Sequence, residues 1–282
     1  MYANVLLSET IGPAGPRRQR AEGRVEIEAV RIGPATRAMR IAEAGSLRVR
    51  MPRVAGSSLE AVLINTAGGI ACGDRFAVDV DASVGAQLIV TTQAAEKVYR
   101  SDGPNAELSV RMTLAAGADL AWIPQETIVF DQARIRRCIE AELAGDARLL
   151  VFEAVVFGRT ARGEEVGEGL FEDRWRIRRA GRLVYADTLR LDGPIAALLD
   201  RPAIAGGARA LASLLYVSPD AENRLDEARS LLEGSLCLVG ASAWNGLLAV
   251  RFLGRDGAEL RRDTDRFIEG FRCCRLPRVW QS

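Results

Sequence analysis

The only lysine of this chain, Lys97, is the first residue whose type could carry chemistry. It lies in the segment TTQAAEKVYRS, and every other member of the 38 basic residues is an arginine. A lysine forms a Schiff base when an apolar pocket removes water from its amine. Glu96 and Arg100 instead place charge around Lys97, which favours an ion pair or a contact with a partner protein over covalent catalysis.

A glycine-rich stretch, NTAGGIACGD (65–74), follows an apolar run and superficially suits a phosphate loop. It lacks the GxxxxGK[ST] and GxGxxG spacings, and the FAVDVD after it alternates as a strand, so no helix N-terminus would face a phosphate. We therefore expect a turn that needs positive φ at Gly68, Gly69 or Gly73.

Two side chains at the end of this stretch could act chemically. Cys72 is either a soft metal ligand or a buried thiol, and Asp74 either caps the turn or presents a carboxylate. A hydrolase would use Cys72 or Lys97 together with Asp74. The chain contains no histidine, which excludes a Ser-His-Asp triad, a Cys-His pair and a HExxH zinc site, and leaves a hydrolase without an obvious base.

A third candidate is the acidic, glycine-rich segment that contains Glu164, Glu165 and Glu168. Such a segment is commonly a solvated loop. Carboxylates separated by flexible glycines also suit transient coordination of a divalent cation through oxygen.

Composition narrows the partners and the compartment. The formal charge of +1 offers no field for nucleic acid or an anionic membrane. No stretch approaches the ~20 apolar residues of a membrane helix, and the N-terminal apolar run is too short for a signal peptide, so we expect a cytoplasmic protein. The five cysteines show no CxxC spacing, and free thiols are expected.

The elements that must position these residues are mostly strands. From about residue 25 to 192 the dominant hydrophobic period is two, and glycine-rich turns punctuate it. In 134–143, for example, Ile135, Ile139, Ala141 and Leu143 fall on one side. We predict a mainly β fold, a stack of mostly antiparallel strands.

A weak internal repeat suggests how the strands are arranged. Ala-x-Leu after a glycine turn recurs at Ala86, Ala118 and Ala147, at spacings compatible with strands stacked in coils. Each copy runs through an apolar strand to polar residues, which stacking would bring together. These polar residues are Thr92-Gln93, Gln125-Glu126 and Glu153.

The period changes after Leu191. We predict helices and closing strands over 193–282, packed on the β-body of 25–192 within a single domain of residues 1–282. Asp220 and Gly234 would bound one helix, and 258–273 would form another with its apolar stripe inward. Cys273 and Cys274 are expected to pack, and the terminal LPRVWQS to be extended.

Several stretches together resemble one known family, the urease accessory protein UreD, also called UreH. They occur in the family's order and cover nearly the whole chain. The stretches are NTAGGIACGD (65–74), TTQAAEKVYRS (91–101), PQETIVF (124–130), FGRTARGE (157–164) and LPRVW (276–280).

The resemblance implies a non-enzymatic scaffold with a superhelical stack of strands. It also implies action with UreF and the GTPase UreG on apo-urease, so that Ni²⁺ enters the urease active site. Cofactors would be limited to transient Ni²⁺, with none tightly bound. Lys97 then belongs to the family signature TTQ-x-x-x-K-x-Y-R-S.

The same resemblance indicates site residues. Asp74 and Glu164 match acidic positions expected to line a nickel path, with Lys97, Tyr99 and Ser101 near them. Cys72 stands where the family usually has glycine and adds a possible soft ligand. Glu126 and Glu153, the polar ends of the repeat, are further residues expected to line the path or contact a partner.

Scattered carboxylates without imidazole should hold nickel weakly, so we expect Ni²⁺ affinity in the micromolar range or weaker. Two other readings stay open from the residues alone: the hydrolase with Cys72 or Lys97 and Asp74, and a β-solenoid interaction module unrelated to metals.

Overall fold

The computed structural model of the chain describes residues 20–53, 56–159 and 163–281. Strands dominate this part, in agreement with the mainly β prediction. In chain order they are β1 (Glu22–Ile32), β2 (Ala35–Gly45), β3 (Leu47–Arg50), β4 (Leu59–Asn65), β5 (Arg75–Ala82), β6 (Gln87–Thr92), β7 (Glu96–Val98), β8 (Ala106–Leu114), β9 (Asp119–Trp122), β10 (Thr127–Val129), β11 (Arg134–Leu143), β12 (Arg148–Phe157), β13 (Gly169–Arg179), β14 (Arg182–Gly193), β15 (Ala210–Val217), β16 (Leu238–Trp244) and β17 (Leu247–Gly254).

The described strands form two sheets that face each other. The seven-stranded sheet has the order β14-β13-β11-β8-β5-β1-β2. The ten-stranded sheet has the order β16-β17-β15-β12-β9-β6-β4-β3, with β10 pairing with β12 and β7 outside this path. From β4 to β13 the chain alternates between the sheets, which is the winding of a β-solenoid.

Successive coils are in register, as the internal repeat predicts. Leu88 pairs with Leu120, and Leu120 pairs with Leu149, so the three Ala-x-Leu copies stack directly. These pairs are parallel, as are β1, β5, β8, β11 and β13 in the other sheet.

The fold prediction is confirmed except for strand direction. Antiparallel pairs lie at the ends of the sheets, as between β1 and β2 or between β13 and β14. The stack between them is parallel because every coil returns the chain in the same direction. Period-two alternation could not reveal this, since it reports only that one face is buried, whichever way the neighbouring strand runs.

Two apolar layers hold the fold together. The first lies between the sheets and contains Phe157 and Phe171, whose rings meet edge to face with centroids 5.4 Å apart. The second lies between the ten-stranded sheet and the helices, where Phe252 packs on Phe267 at 5.7 Å. The strand β12 is covered on both faces, which explains its continuous apolar sequence.

The described helices lie in the C-terminal third, as predicted. They are α1 (Ile195–Asp200), α2 (Leu225–Leu232) and α3 (Gly257–Arg272), with short 3₁₀ turns at Glu222–Arg224 and Arg278–Gln281. The predicted stripe of α3 is buried, and the carboxylate of Asp256 caps its first turn by accepting from the backbone N–H groups of Ala258 and Glu259.

Other C-terminal predictions need correction. Asp220 does not cap α2, because its carboxylate accepts hydrogen bonds from the Ser218 and Tyr216 hydroxyls. Cys273 and Cys274 are exposed, since the helix ends at Arg272 and Cys273 takes a left-handed φ of 50°. The terminal LPRVWQS segment includes a 3₁₀ turn that buries Trp280 against the ten-stranded sheet instead of being fully extended.

No described helix is both long and apolar enough to cross a membrane. The assignment of residues 1–282 to one domain stays a prediction.

Candidate functional site

A cavity of about 280 Å³ lies between the two sheets, where the strands of successive coils end. Exposed residues, among them Gln93 and Lys97, line one end of it, and the buried Arg137 and Glu153 line the other. The cavity therefore leads from the surface into the inter-sheet layer. The repeat predicted that polar strand ends would gather, and Thr92, Gln93, Gln125 and Glu153 do line one cavity.

The glycine-rich turn and β7 form the open end together. The backbone N–H of Ile70 donates to the Lys97 carbonyl at 2.7 Å, and that of Tyr99 donates to the Ile70 carbonyl at 2.8 Å. A Cβ on Gly69 would lie 2.4 Å from Cε2 of Tyr99, and this glycine has a φ of 143°. The predicted positive-φ turn is confirmed, and the close approach shows why it needs glycine.

Glu96 contributes a carboxylate to the lining of the cavity. Asn65 Nδ2 donates to both of its oxygens at 3.2 Å, and Lys97 lies next to it in the chain. Burial raises the pKa of Glu96 to about 7, although the hydrogen bond from Asn65 and the charge of Lys97 act in the opposite direction. Near neutral pH this group therefore exchanges a proton with solvent, or can exchange it for another cation.

A buried ionic cluster closes the inner end of the cavity. The Arg137 guanidinium donates to both oxygens of Asp173, from Nε at 3.0 Å and from Nη2 at 2.7 Å. Its Nη1 donates to Glu153 Oε2. All three side chains are at most 9% exposed, so two carboxylates share one guanidinium almost out of contact with water.

A neutral donor and a neutral acceptor complete this cluster. Trp122 Nε1 donates to Glu153 Oε1 at 2.8 Å, and Arg137 Nη1 also reaches the Thr127 hydroxyl at 3.3 Å. Burial raises the pKa of Glu153, and the nearby charge of Asp173 adds to this, against the attraction of Arg137. For Arg137, burial acts to lower the pKa, but its two carboxylate partners raise it above the ordinary value, so the guanidinium stays charged.

Strand register creates the cluster. Arg137 pairs with Asp173 across β11 and β13, and both replace apolar residues on faces that otherwise point into the inter-sheet layer. Glu153 was predicted from the repeat, whereas Arg137 and Asp173 were not predicted. The signal was present: Arg137 interrupts the stripe between Ile135 and Ile139, and a charge at an inward position needs a buried partner.

Polar residues continue beyond the cluster along the ten-stranded sheet, and we call Glu153, Ser213 and Arg251 the polar row. Glu153 pairs in register with Ser213 of β15, and Ser213 pairs with Arg251 of β17. Arg251 donates to Ser213 and to Asp187 of the opposite sheet. Polar groups thus extend from the cavity along the ten-stranded sheet to β17 and across to β14, an edge strand of the seven-stranded sheet.

The other predicted residues lie outside this cavity. Tyr99 packs on the glycine-rich turn, and its hydroxyl donates to the Gly68 carbonyl at 3.0 Å. Both oxygens of Asp74 accept backbone N–H groups, from Ala21 at 2.8 Å and Ala71 at 2.7 Å, so the carboxylate ties the turn to the start of β1.

Cys72 and Ser101 lie on the far side of the same turn. The Cys72 thiol donates to Asp102 at 3.0 Å and accepts from Arg20 at 3.1 Å. The Ser101 hydroxyl is hydrogen-bonded within its own loop, to the carbonyls of Gly103 and Pro104.

Glu164 and Glu126 each pair with an arginine elsewhere. Glu164 is half-buried and accepts from Arg159, next to residues 160–162, which lie outside the described part of the family-like stretch. Glu126 faces the helical layer, where it accepts from Arg261 at 3.2 Å. The structure does not bring Asp74, Glu164 and Lys97 into one cavity.

The donor atoms limit what this site can hold. Within the described residues there is no group of three or more Asp, Glu, Cys or His side chains placed to bind a metal ion. The cavity offers separated carboxylates with amide, hydroxyl and carbonyl oxygens, which suits a hard or borderline cation that keeps part of its water.

Comparison with known proteins agrees with the motifs. The sequence model of the UreD urease accessory protein family matches residues 20–281. Among similar proteins, the urease accessory protein UreD of Methylobacterium sp. (strain 4-46) is 57% identical over 276 residues, 96% of this chain and 98% of its own length. That of Xanthobacter autotrophicus is 58% identical over 265 residues, with 94% and 91% covered, and that of Azorhizobium caulinodans is 56% identical over 265 residues, with 94% and 98% covered.

Proposed function

Since the chain belongs to the UreD family of urease accessory proteins, we propose that it is a non-enzymatic scaffold of urease maturation. In this role it joins UreF and UreG to apo-urease and passes Ni²⁺ toward the urease active site. Nickel is a cargo in this role and is bound only transiently. The work takes place in the cytoplasm, with neither nucleic acid nor membrane as a partner.

The inter-sheet cavity is the observation that carries the cargo part of the proposal. Its lining includes the exposed Lys97 of the signature segment, the carboxylate of Glu96 and the buried carboxylate of Glu153. Oxygen donors without imidazole or a cluster of thiolates favour weak binding and fast release, as a carrier requires. Beyond Glu153, the polar residues Ser213 and Arg251 follow in register along the ten-stranded sheet.

The placement of the other candidates supports a scaffold over a hydrolase. The Asp74 carboxylate is occupied by two backbone N–H groups, and the thiol of Cys72 bonds to Arg20 and Asp102. Lys97 is exposed at the cavity opening instead of lying in an apolar pocket. No described arrangement pairs Cys72 or Lys97 with Asp74 as nucleophile and base.

The test is nickel delivery by Glu96→Gln. Cells that express urease with its accessory proteins are given wild-type or variant chain, and the nickel content of purified urease is measured by mass spectrometry. We expect a several-fold loss with Glu96→Gln. The matched control is Glu107→Gln on the outer face of the seven-stranded sheet, where the carboxylate only pairs with Arg75 at 3.9 Å.

Calorimetry on the purified chain tests the cargo directly. We expect Ni²⁺ to bind in the micromolar range or weaker, since few ligands are present, and Glu96→Gln to weaken it further. Unchanged urease nickel content with Glu96→Gln would remove the cavity from the route. A folded chain that does not co-purify with UreF would contradict the scaffold role.

A further inference from the structure

The buried cluster at the inner end of the cavity contains two acidic side chains and one basic side chain. Glu153 and Asp173 contribute two carboxylates, and Arg137 contributes one guanidinium. A net charge in a nearly dry layer is costly unless a further cation or proton can reach it. The cavity that opens at Lys97 reaches this cluster, since Arg137 and Glu153 line it.

The two carboxylates are held differently. Asp173 receives two parallel hydrogen bonds from Arg137, the geometry that fixes an arginine most firmly. Glu153 receives one hydrogen bond from Arg137 and one from Trp122. Glu153 is therefore the member that can leave the guanidinium while Arg137 stays anchored to Asp173.

Arg137 also lies between the cavity and the rest of the polar row. It extends from β11 across the inter-sheet layer to Glu153 of β12, and Ser213 and Arg251 follow Glu153 along the ten-stranded sheet. A fixed positive charge at this point repels a divalent cation that comes from the cavity, and low polarity strengthens the repulsion.

We propose that Arg137 is the gate of this passage: it occupies Glu153 in the empty protein, and a divalent cation advances past the cavity only when Glu153 exchanges the guanidinium for the cation. This inference rests on the proposed function, because it takes the cargo to be Ni²⁺. Arg137 acts here as a positioning residue, and Glu153 is the ligand that it withholds.

The experiment is a calorimetric titration of purified protein with Ni²⁺. The double variant Arg137→Gln/Asp173→Asn removes the guanidinium but keeps the net charge of the cluster at one negative unit, so any change reports the gate and not the total charge. We expect the dissociation constant to fall about tenfold or more, the factor that one hydrogen bond to a charged group typically carries. Circular dichroism verifies the fold.

The matched control is Arg111→Gln/Asp79→Asn. These residues form a cross-strand ion pair, 3.8 Å apart, on the outer face of the same sheet. We expect its Ni²⁺ affinity to equal that of the wild type. Equal affinities in all three folded proteins would overturn the gate.

A second variant covers the case in which the double variant does not fold. Arg137→Lys keeps the positive charge but replaces the forked guanidinium with a single ammonium, which cannot bond to both oxygens of Asp173 and to Glu153 at the same time. Its hold on Glu153 is therefore weaker. We expect Ni²⁺ binding tighter than wild type, and binding that is equal or weaker would overturn the gate. If Glu96→Gln changes the Ni²⁺ affinity but the variants at Arg137 do not, the gate is refuted and the nickel route through the cavity is retained. If the wild-type chain binds no Ni²⁺, the proposal that it carries Ni²⁺ is refuted as well.

Discussion

Replacing Glu96 by glutamine should remove a pH-dependent loss of stability. Burial raises the pKa of this carboxyl from 4.5 to about 7. The folded chain therefore holds the proton more tightly than the unfolded chain. This contribution to stability is complete below the unfolded pKa of 4.5 and is lost as the pH rises through about 7.

The size of the loss follows from the shift. At about 1.4 kcal/mol per pKa unit, the folded state loses about 3 kcal/mol between pH 4.5 and pH 8 relative to the unfolded state. Glutamine stays neutral and can still accept from Asn65, so Glu96→Gln should not show this loss. Other buried carboxyls with raised pKa, such as Asp265, titrate equally in both proteins and cancel in the comparison.

Urea denaturation followed by circular dichroism at pH 5, 6, 7 and 8 measures the effect. The free energy of unfolding of Glu96→Gln should rise relative to wild type over this range, by about 2–3 kcal/mol at pH 8. Glu107→Gln, at an exposed carboxylate, provides the control and should follow the wild type. If the free energies of unfolding of Glu96→Gln and wild type change in parallel between pH 5 and pH 8, Glu96 is not a desolvated carboxylate and this part of the cavity model fails.

Three further predictions concern the surroundings of the site. Gly69→Ala should destabilise the fold by more than about 2 kcal/mol, roughly the cost of forced close contacts, because the added Cβ would lie 2.9 Å from the Lys97 carbonyl. Gly68→Ala, whose Cβ would meet open space, should cost about 1 kcal/mol, and the urea midpoints of the two variants measure the difference. Asp74→Ala should lower the free energy of unfolding by about 2 kcal/mol or more, since two backbone N–H groups lose their acceptor. Glu164→Ala should leave the urea midpoint nearly unchanged, because the pair of Glu164 with Arg159 is partly exposed. If only Glu164→Ala lowers the nickel content of urease, Glu164 lies on the nickel route and Asp74 does not. Phe267→Ala should cost about 3–5 kcal/mol, as Phe267 is fully buried between Phe252 and Phe271, and a loss below 1 kcal/mol in thermal or urea unfolding would show that the helical layer contributes little.

The sequence predicted those features that repeat. Alternation located the strands, and the three Ala-x-Leu copies predicted coils in register because equivalent residues must stack to bury one continuous face. The glycine-rich turn was predictable because positive φ restricts the residue type, and all three of its glycines have it. Strand direction was not, because alternation is the same for parallel and antiparallel neighbours.

The site was only partly predictable, since it depends on residues that break the pattern. Lys97 was found as the only lysine and Glu153 as the end of a repeat. Asp74 was predicted as a site residue because it is a carboxylate after a glycine turn, yet its oxygens accept the backbone N–H groups of Ala71 in that turn and of Ala21 before β1. Such hydrogen bonds cannot be predicted from residue type alone, because a bonded and an exposed aspartate look the same in sequence.

Arg137 shows what a better rule would use. A strand that carries Ile135, Ile139, Ala141 and Leu143 inward also places position 137 inward, and an arginine there must meet carboxylates in the same layer. Acidic residues also interrupt the apolar pattern on other strands, with Glu153 inside the apolar run of β12 and Asp173 between Phe171 and Trp175. A charged exception to the apolar pattern thus indicates that another exception lies opposite it.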